Sequence, residues 1–257
     1  MDWSSEQYLK FRNERTQPAV DLANRINLAS PGKILDVGCG PGNSTHVLAC
    51  RFPDAYIIGI DNSGDMISAA KKNHPDLDFR MCDAASELSQ LDNDFDIVFS
   101  NACIQWIPDH RNLLRNLMGL LKDNGVLAVQ VPMNYNEPIH VIVRELASSD
   151  RWKDYFAEIR TFYTLSPGEY FDVLSELSEE FDVWETVYYH VMKSHYDILE
   201  WYRGTGLRPY LSVLPDSKKT EFESEIMEKL IQRYPRQKNG CIIFKFPRFF
   251  FTACPKR

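Results

Sequence analysis

Apolar and polar positions alternate in blocks along the first half of the chain. The runs KILDV (33–37), AYIIGI (55–60), LDFRM (77–81), FDIVFS (95–100) and GVLAVQV (125–131) read as strands. Amphipathic stretches near 43–51, 64–73, 110–121 and 137–147 predict helices, and Pro53, Pro75 and Pro108 punctuate the connections. Strands that alternate with helices build βα units, which predicts a parallel sheet.

Beyond about residue 150 the chain becomes aromatic-rich and helical in pattern. A strand-like VWETVYYHVM (183–192) follows, then a helical stretch over 195–234 and a last strand-like run, IIFKFPRFFFTA (242–253). The expected fold is α/β: a doubly wound, mostly parallel, Rossmann-like sheet with a helical insertion before its last strand. No repeat, low-complexity tract or linker divides the chain, so residues 1–257 are expected to form a single domain.

A chain of 257 residues that is 44% hydrophobic can fill one large core. No window reaches the ~18 uninterrupted apolar residues of a membrane span, and MDWSSEQYLKFRNERT is polar where a signal peptide is apolar, so a cytoplasmic protein is expected. The six cysteines form no C-x-x-C pair and no zinc-type spacing to the six histidines, which predicts buried thiols and no metal. The net charge of −7 disfavours polyanions, but it is uneven. Residues 193–257 carry 13 Lys and Arg against 7 Asp and Glu, a net of +6, leaving −13 on residues 1–192. A nucleic-acid partner is therefore not expected, whereas a small anion needs only two or three of the basic residues.

The most informative segment is ILDVGCGPGNST, a strand that runs through three glycines into a helix. Gly38, Gly40 and Gly42 allow a tight turn and bring backbone amides close to a ligand near the positive end of the following helix. The spacing is G-x-G-x-G, with Asn43 where a dinucleotide fingerprint places its third glycine, which argues against NAD. Asp36 just before the loop would repel a pyrophosphate and hold an ammonium group. Asp61 ends the second strand 23 residues past Gly38, where a carboxylate can accept from ribose hydroxyls, and Asp83 follows the third strand, placed to meet an adenine amino group. Singly, each of these passes for a turn or a helix cap; their recurrence at successive strand ends points to a ligand.

DVGCGPGNST followed by GIDNS resembles the cofactor signature of class I S-adenosylmethionine-dependent methyltransferases. Five further segments, SNACIQWIPDH (100–110), VPMNYNEPIH (131–140), YYHVMKSH (188–195), TGLRPYL (205–211) and NGCIIFKFPRFF (239–250), are similar to the trans-aconitate 2-methyltransferase family. The resemblance implies a cofactor site made of Asp36, Gly38, Cys39, Gly40, Asn43, Asp61, Asn62, Met66, Asp83, Asn101, Gln105 and Trp106. It also implies methyl transfer from S-adenosyl-L-methionine to one carboxylate of trans-aconitate, with S-adenosyl-L-homocysteine as the other product. Residues 1–30 are then an N-terminal helical segment, 31–147 the cofactor-binding core and 148–257 the acceptor side. The chain departs from the family pattern at Tyr135, where Trp often stands, and at Glu185, where a basic residue often follows Trp184.

A carboxylate acceptor is ionised at neutral pH and needs no general base, so no catalytic residue is expected beyond those that position the reactants. Its other carboxylates call for cations, preferably guanidinium forks. Arg208, between Gly206 and Pro209, is the first candidate, followed by Arg248, Arg203, Arg144 and Arg15. Tyr188, Tyr189, His190 and His195 are pocket candidates whose alternative is ordinary core packing, and Tyr8, Phe11 and Arg15 suggest a helix that closes over the site. Another dicarboxylate, a carrier-bound acid or a phenol would use the same cofactor residues.

Overall fold

KILDV forms β1 (Lys33–Val37), and all of Ile34, Leu35, Asp36 and Val37 are buried. A strand covered on both faces reads as a continuous apolar run, and the one charge within it stands out for that reason. The computed structural model describes residues 12–156 and 162–256. The other strands are β2 (Tyr56–Asp61), β3 (Asp78–Met81), β4 (Phe95–Asn101), β5 (Leu121–Pro132), β6 (Phe181–Met192) and β7 (Ile242–Ala253). They form a seven-stranded sheet in the order β3-β2-β1-β4-β5-β7-β6. The pairs from β3 through β5 are parallel, and β7 runs antiparallel to β5. The order reverses at β1/β4, the switch point where open α/β sheets bind ligands.

Among the described residues the helices are α1 (Arg12–Arg25), α2 (Asn43–Arg51), α3 (Gly64–Asn73), α4 (His110–Met118), α5 (Pro138–Ala147), α6 (Pro167–Leu177), α7 (His195–Arg203), α8 (Arg208–Val213) and α9 (Asp216–Arg233). Ser63 caps α3, and reciprocal capping boxes start α6 (Ser166 with Glu169) and α7 (Ser194 with Asp197). The helix expected over 110–121 stops at Met118, because Leu121 already pairs with Phe95 and makes β5 longer than its apolar run. The helical stretch over 195–234 is three helices, interrupted at Gly204–Leu207 and at Leu214–Pro215. Among the described residues no helix is long and apolar enough to cross a membrane.

The chain folds into two compact units: residues 1–132, 162–186 and 248–257 in one, and 133–161 and 187–247 in the other. Arg248 to Ala253 belong with the first unit because they pair antiparallel with β5, a pairing that no linker composition announces. The first unit buries Val37, Ile60, Val98, Phe99 and Leu127 of the sheet with Leu48 and Leu114 of its helices. The second buries Ile142, Trp152, Ile198, Trp201, Phe222 and Leu230. Tyr8, Phe11 and the side chain of Arg15 lie outside the described residues.

Candidate active site

The glycine turn is fixed from below. Gly38 and Cys39 both donate to the carbonyl of Ile60, at 2.8 and 2.9 Å, which ties the end of β1 to the end of β2. Gly38, Gly40 and Gly42 have φ of +74°, +53° and +91°, the left-handed region that side chains avoid. At Gly38 a Cβ would fall 2.2 Å from the Cys103 sulfur, and at Gly42 it would fall 2.8 Å from the His74 ring. The glycines thus serve backbone conformation and close packing at once. α2 starts directly after Gly42 with no side-chain cap, leaving its positive end to an outside partner.

The acids occupy the expected strand ends, with partners that the sequence did not announce. Asp36 is fully buried, and its Oδ2 accepts from the hydroxyls of Ser44 and Thr45, both at 2.7 Å. Burial raises its pKa to about 6, aided by the nearby Asp61 and opposed by the two hydroxyls. Asp61 accepts from the Gly40 amide at 3.0 Å and from the Ser63 amide at 2.9 Å, so it secures the turn; burial raises its pKa. Asp83 accepts from the Ala85 amide at 3.0 Å, and its own amide donates to Glu87 at 2.7 Å. Asn62 is exposed, and Met66 is buried with its amide on the Ser63 cap. Gly59 was missed: a Cβ there would press on Phe79 and on Cys39.

The fourth strand end completes the set. Asn101 ends β4 opposite Gln130 of β5, and a 3-10 turn over Ile104–Trp106 follows. His110, at the start of α4, holds that turn by joining its Nε2 to the Ile104 carbonyl (2.9 Å) and its Nδ1 to the Tyr170 hydroxyl (2.7 Å). Gln105 donates to the Ala102 carbonyl at 2.7 Å, and the Trp106 ring lies 4.7 Å from that of Phe162. Cys39 and Cys103 pack beside Gly59 and Gly38, and burial raises both thiols, so they stay neutral.

Buried polar atoms normally find partners. Among the described residues Asp36 Oδ1, both polar atoms of Asn43, Asn101 Oδ1 and Gln105 Oε1 are buried without one. They lie on the segments that follow β1 and β4, on the two sides of the switch point. A glycine cradle, an acid at each end of β1 and β2, and orphaned donors and acceptors together fit a polar ligand that carries both cationic and hydroxyl groups.

The basic candidates fare unevenly. Arg203 is committed within the second unit: it grips both oxygens of Glu223, pairs with Glu200 and donates to the Tyr196 hydroxyl, which makes it a structural cation. His195 is buried with Nε2 on the Tyr234 carbonyl at 2.8 Å, and His190 stacks on Trp201 at 4.8 Å, so both pack the second unit. Tyr189 is 63% exposed, which removes it from a pocket lining, and Tyr188 lies alongside His190. Arg248 is buried in the first unit and donates to Gln130 at 3.0 Å; Arg144 donates to the Tyr135 carbonyl; Arg208 is the first residue of α8 and half-buried.

A family model described as a methyltransferase domain matches residues 28–196. A trans-aconitate 2-methyltransferase of Rhodopseudomonas palustris (strain HaA2) is 41% identical over 254 residues, covering 98% of each chain. That of Enterobacter sp. (strain 638) is 42% identical over 254 residues, with the same coverage. The crystal structure of the YcgJ protein of Bacillus subtilis superposes with a TM-score of 0.62 at 16% identity, covering 94% of this chain and 99% of that one, and shares the fold. With identity of this level spanning both compact units, the chain belongs to the trans-aconitate 2-methyltransferase family of methyltransferase-domain proteins.

Proposed function

We propose that this protein transfers the methyl group of S-adenosyl-L-methionine to one carboxylate of trans-aconitate, giving a monomethyl ester and S-adenosyl-L-homocysteine. The observation that carries this reading is the identity of about 40% to named trans-aconitate 2-methyltransferases over 98% of each chain, which includes the second unit as well as the glycine turn. We further infer that the protein works in the cytoplasm on a small anion.

The cofactor supplies an electrophilic methyl group on a sulfonium. Asp36 and the turn over Gly38–Gly42 would hold its amino-acid part, Asp61 and Asn62 its ribose, and Asp83, Met66 and the Gln105–Trp106 turn its base side, with the Asn43 amide and the Asn101 Oδ1, buried without partners, contributing polar contacts. An acceptor carboxylate, which ordinarily titrates near about pH 4, arrives as a nucleophile, so the chain's task is alignment and exclusion of water. Arg208 and Arg144 of the second unit and Arg248 of the first are the candidate cations for the remaining carboxylates, each taken by itself; Arg203 is excluded by its glutamates.

The test is a product assay by mass spectrometry with S-adenosylmethionine and trans-aconitate, cis-aconitate, citrate, isocitrate and itaconate. The expected result is a methyl ester formed preferentially from trans-aconitate. Methylation of another acid instead, or of none, would overturn the acceptor assignment.

A further inference from the structure

Asp36, Asn101, Gln130 and Arg248 stand on four neighbouring strands, β1, β4, β5 and β7, and the first three lie near the carboxyl ends of their strands. Their side chains share one face of the sheet. Asp36 is in register with Phe99, two residues before Asn101; Asn101 is in register with Gln130, and Gln130 with Phe250, two residues beyond Arg248. Register partners, and residues two apart along a strand, point the same way. All four residues belong to the first unit, where the flanking Val37, Val129, Val131, Phe249 and Phe251 are buried and apolar.

The row changes character along its length. It begins with the Asp36 carboxyl and ends with the Arg248 guanidinium. Between them Asn101 Oδ1, an acceptor, and Gln130 Nε2, a donor, are each buried with no hydrogen-bond partner among the described residues. Gln130 is 0% exposed and Arg248 4%. The Gln130 amide has a fixed orientation: Nη1 of Arg248 donates to Oε1 at 3.0 Å. A guanidinium only donates, so it meets the oxygen end of the amide and leaves Nε2 for another acceptor. The backbone between the two amides is fixed as well, because Ala102 donates to the Gln130 carbonyl at 3.0 Å with a φ of +55°, a left-handed geometry that a residue with a side chain adopts at a cost.

An acid and an open acceptor oxygen suit a cation; a guanidinium and an open amide N–H suit an anion. On the proposed cofactor site the cation belongs with the first pair, which leaves the second pair, on the adjoining strands, to the anionic acceptor. A carboxylate gripped by a guanidinium is a weakened nucleophile, so the one held there is not the one that attacks the methyl group.

We propose that the Arg248 guanidinium and Gln130 Nε2 together hold a carboxylate of the acceptor that is not methylated, while Gln130 Oε1 orients the guanidinium. This inference rests on the polycarboxylate reading above.

The experiment measures calorimetric binding of trans-aconitate and of the other four acids to the S-adenosylhomocysteine-loaded protein, together with KM, kcat and S-adenosylhomocysteine affinity, for wild type, Gln130→Glu and Gln130→Met. Gln130→Glu places a carboxylate against Arg248, where it competes with the ligand, and Gln130→Met removes the amide at similar size. Each is expected to weaken trans-aconitate binding and raise its KM by about tenfold or more, with kcat and S-adenosylhomocysteine affinity within about twofold. Unchanged trans-aconitate affinity in either folded variant, or weakened binding of both ligands together, would overturn the subsite. The neutral Gln130→Met keeps the test valid should the buried carboxylate of Gln130→Glu unfold the protein. If wild type binds another of the acids in place of trans-aconitate, the acceptor assignment falls and the same variants decide the subsite on that acid; if it binds none of them, the subsite falls too.

Discussion

The Asp61 carboxylate accepts from the Gly40 amide at 3.0 Å, so the acid at the end of β2 braces the glycine turn at the end of β1. A second bond, from the Ser63 amide, fixes the other oxygen. Asp61→Ala removes the brace and, on the proposed cofactor site, the ribose contact with it. A hydrogen bond to a charged group contributes about 1.5 to 3 kcal/mol, so S-adenosylmethionine binding is expected to weaken by about 10- to 100-fold. Asp61→Asn, which keeps an acceptor oxygen, should lose less. Isothermal calorimetry ranks the two, and equal affinity in both variants and wild type would refute the brace.

On the proposed cofactor site, Asp36 is expected to make cofactor binding depend on pH. Its acid form is favoured by burial, which moves its pKa from 3.8 to about 6. Because the folded state holds that proton more tightly than the unfolded chain, stability from this group is present below 3.8 and lost as pH rises through about 6. The ligand's ammonium group prefers the ionised form, so affinity for S-adenosylmethionine is expected to increase as pH rises from about 5 to about 7 and then level off. Asp36→Asn should bind more weakly and flatten the profile; an unchanged slope in that variant would assign the pH dependence to another group.

Gly38 tests the turn itself. Alanine there meets both a left-handed backbone and the Cys103 side chain. Left-handed geometry costs about 1 to 2 kcal/mol and overpacking about 1 to 3. Gly38→Ala is thus expected to lower Tm by several degrees and abolish measurable cofactor binding. Gly40→Ala, with φ of +53° and nothing within 4 Å of the added carbon, should be the milder of the two. Thermal unfolding of both variants decides the order.

Arg203 separates structural from acceptor-binding cations. Its glutamate pairs are partly buried, so Arg203→Ala is expected to cost about 1 to 3 kcal/mol of stability while leaving KM for the acceptor within about twofold. Chemical denaturation and steady-state kinetics check the two halves. A rise in KM without loss of stability would return Arg203 to the acceptor site.

The local code of this protein was legible in its sequence. Five apolar runs became β1 to β5 with shifts of a few residues at most, apart from the early start of β5; in the central strands β1 and β4 burial on both faces leaves an unbroken hydrophobic signature. The glycine turn was readable because positive φ and close approach admit no other residue. Asp36, Asp61 and Asp83 were placed by strand ends alone.

What only the tertiary structure decided were the partners. Nothing in the sequence near Asp36 identifies Ser44 and Thr45 as its donors, nor Asp61 as the brace for Gly40, because those contacts arise where separate strands and helices meet. For the same reason the arginines looked alike in sequence. The fold gave Arg203 to two glutamates and left Arg144 on a carbonyl, since a side chain's charge balance is set by which elements pack beside it. Periodicity and backbone chemistry are local properties that a single chain displays; pairing across segments, and with it the boundary between the two units, exists only once the sheet has formed.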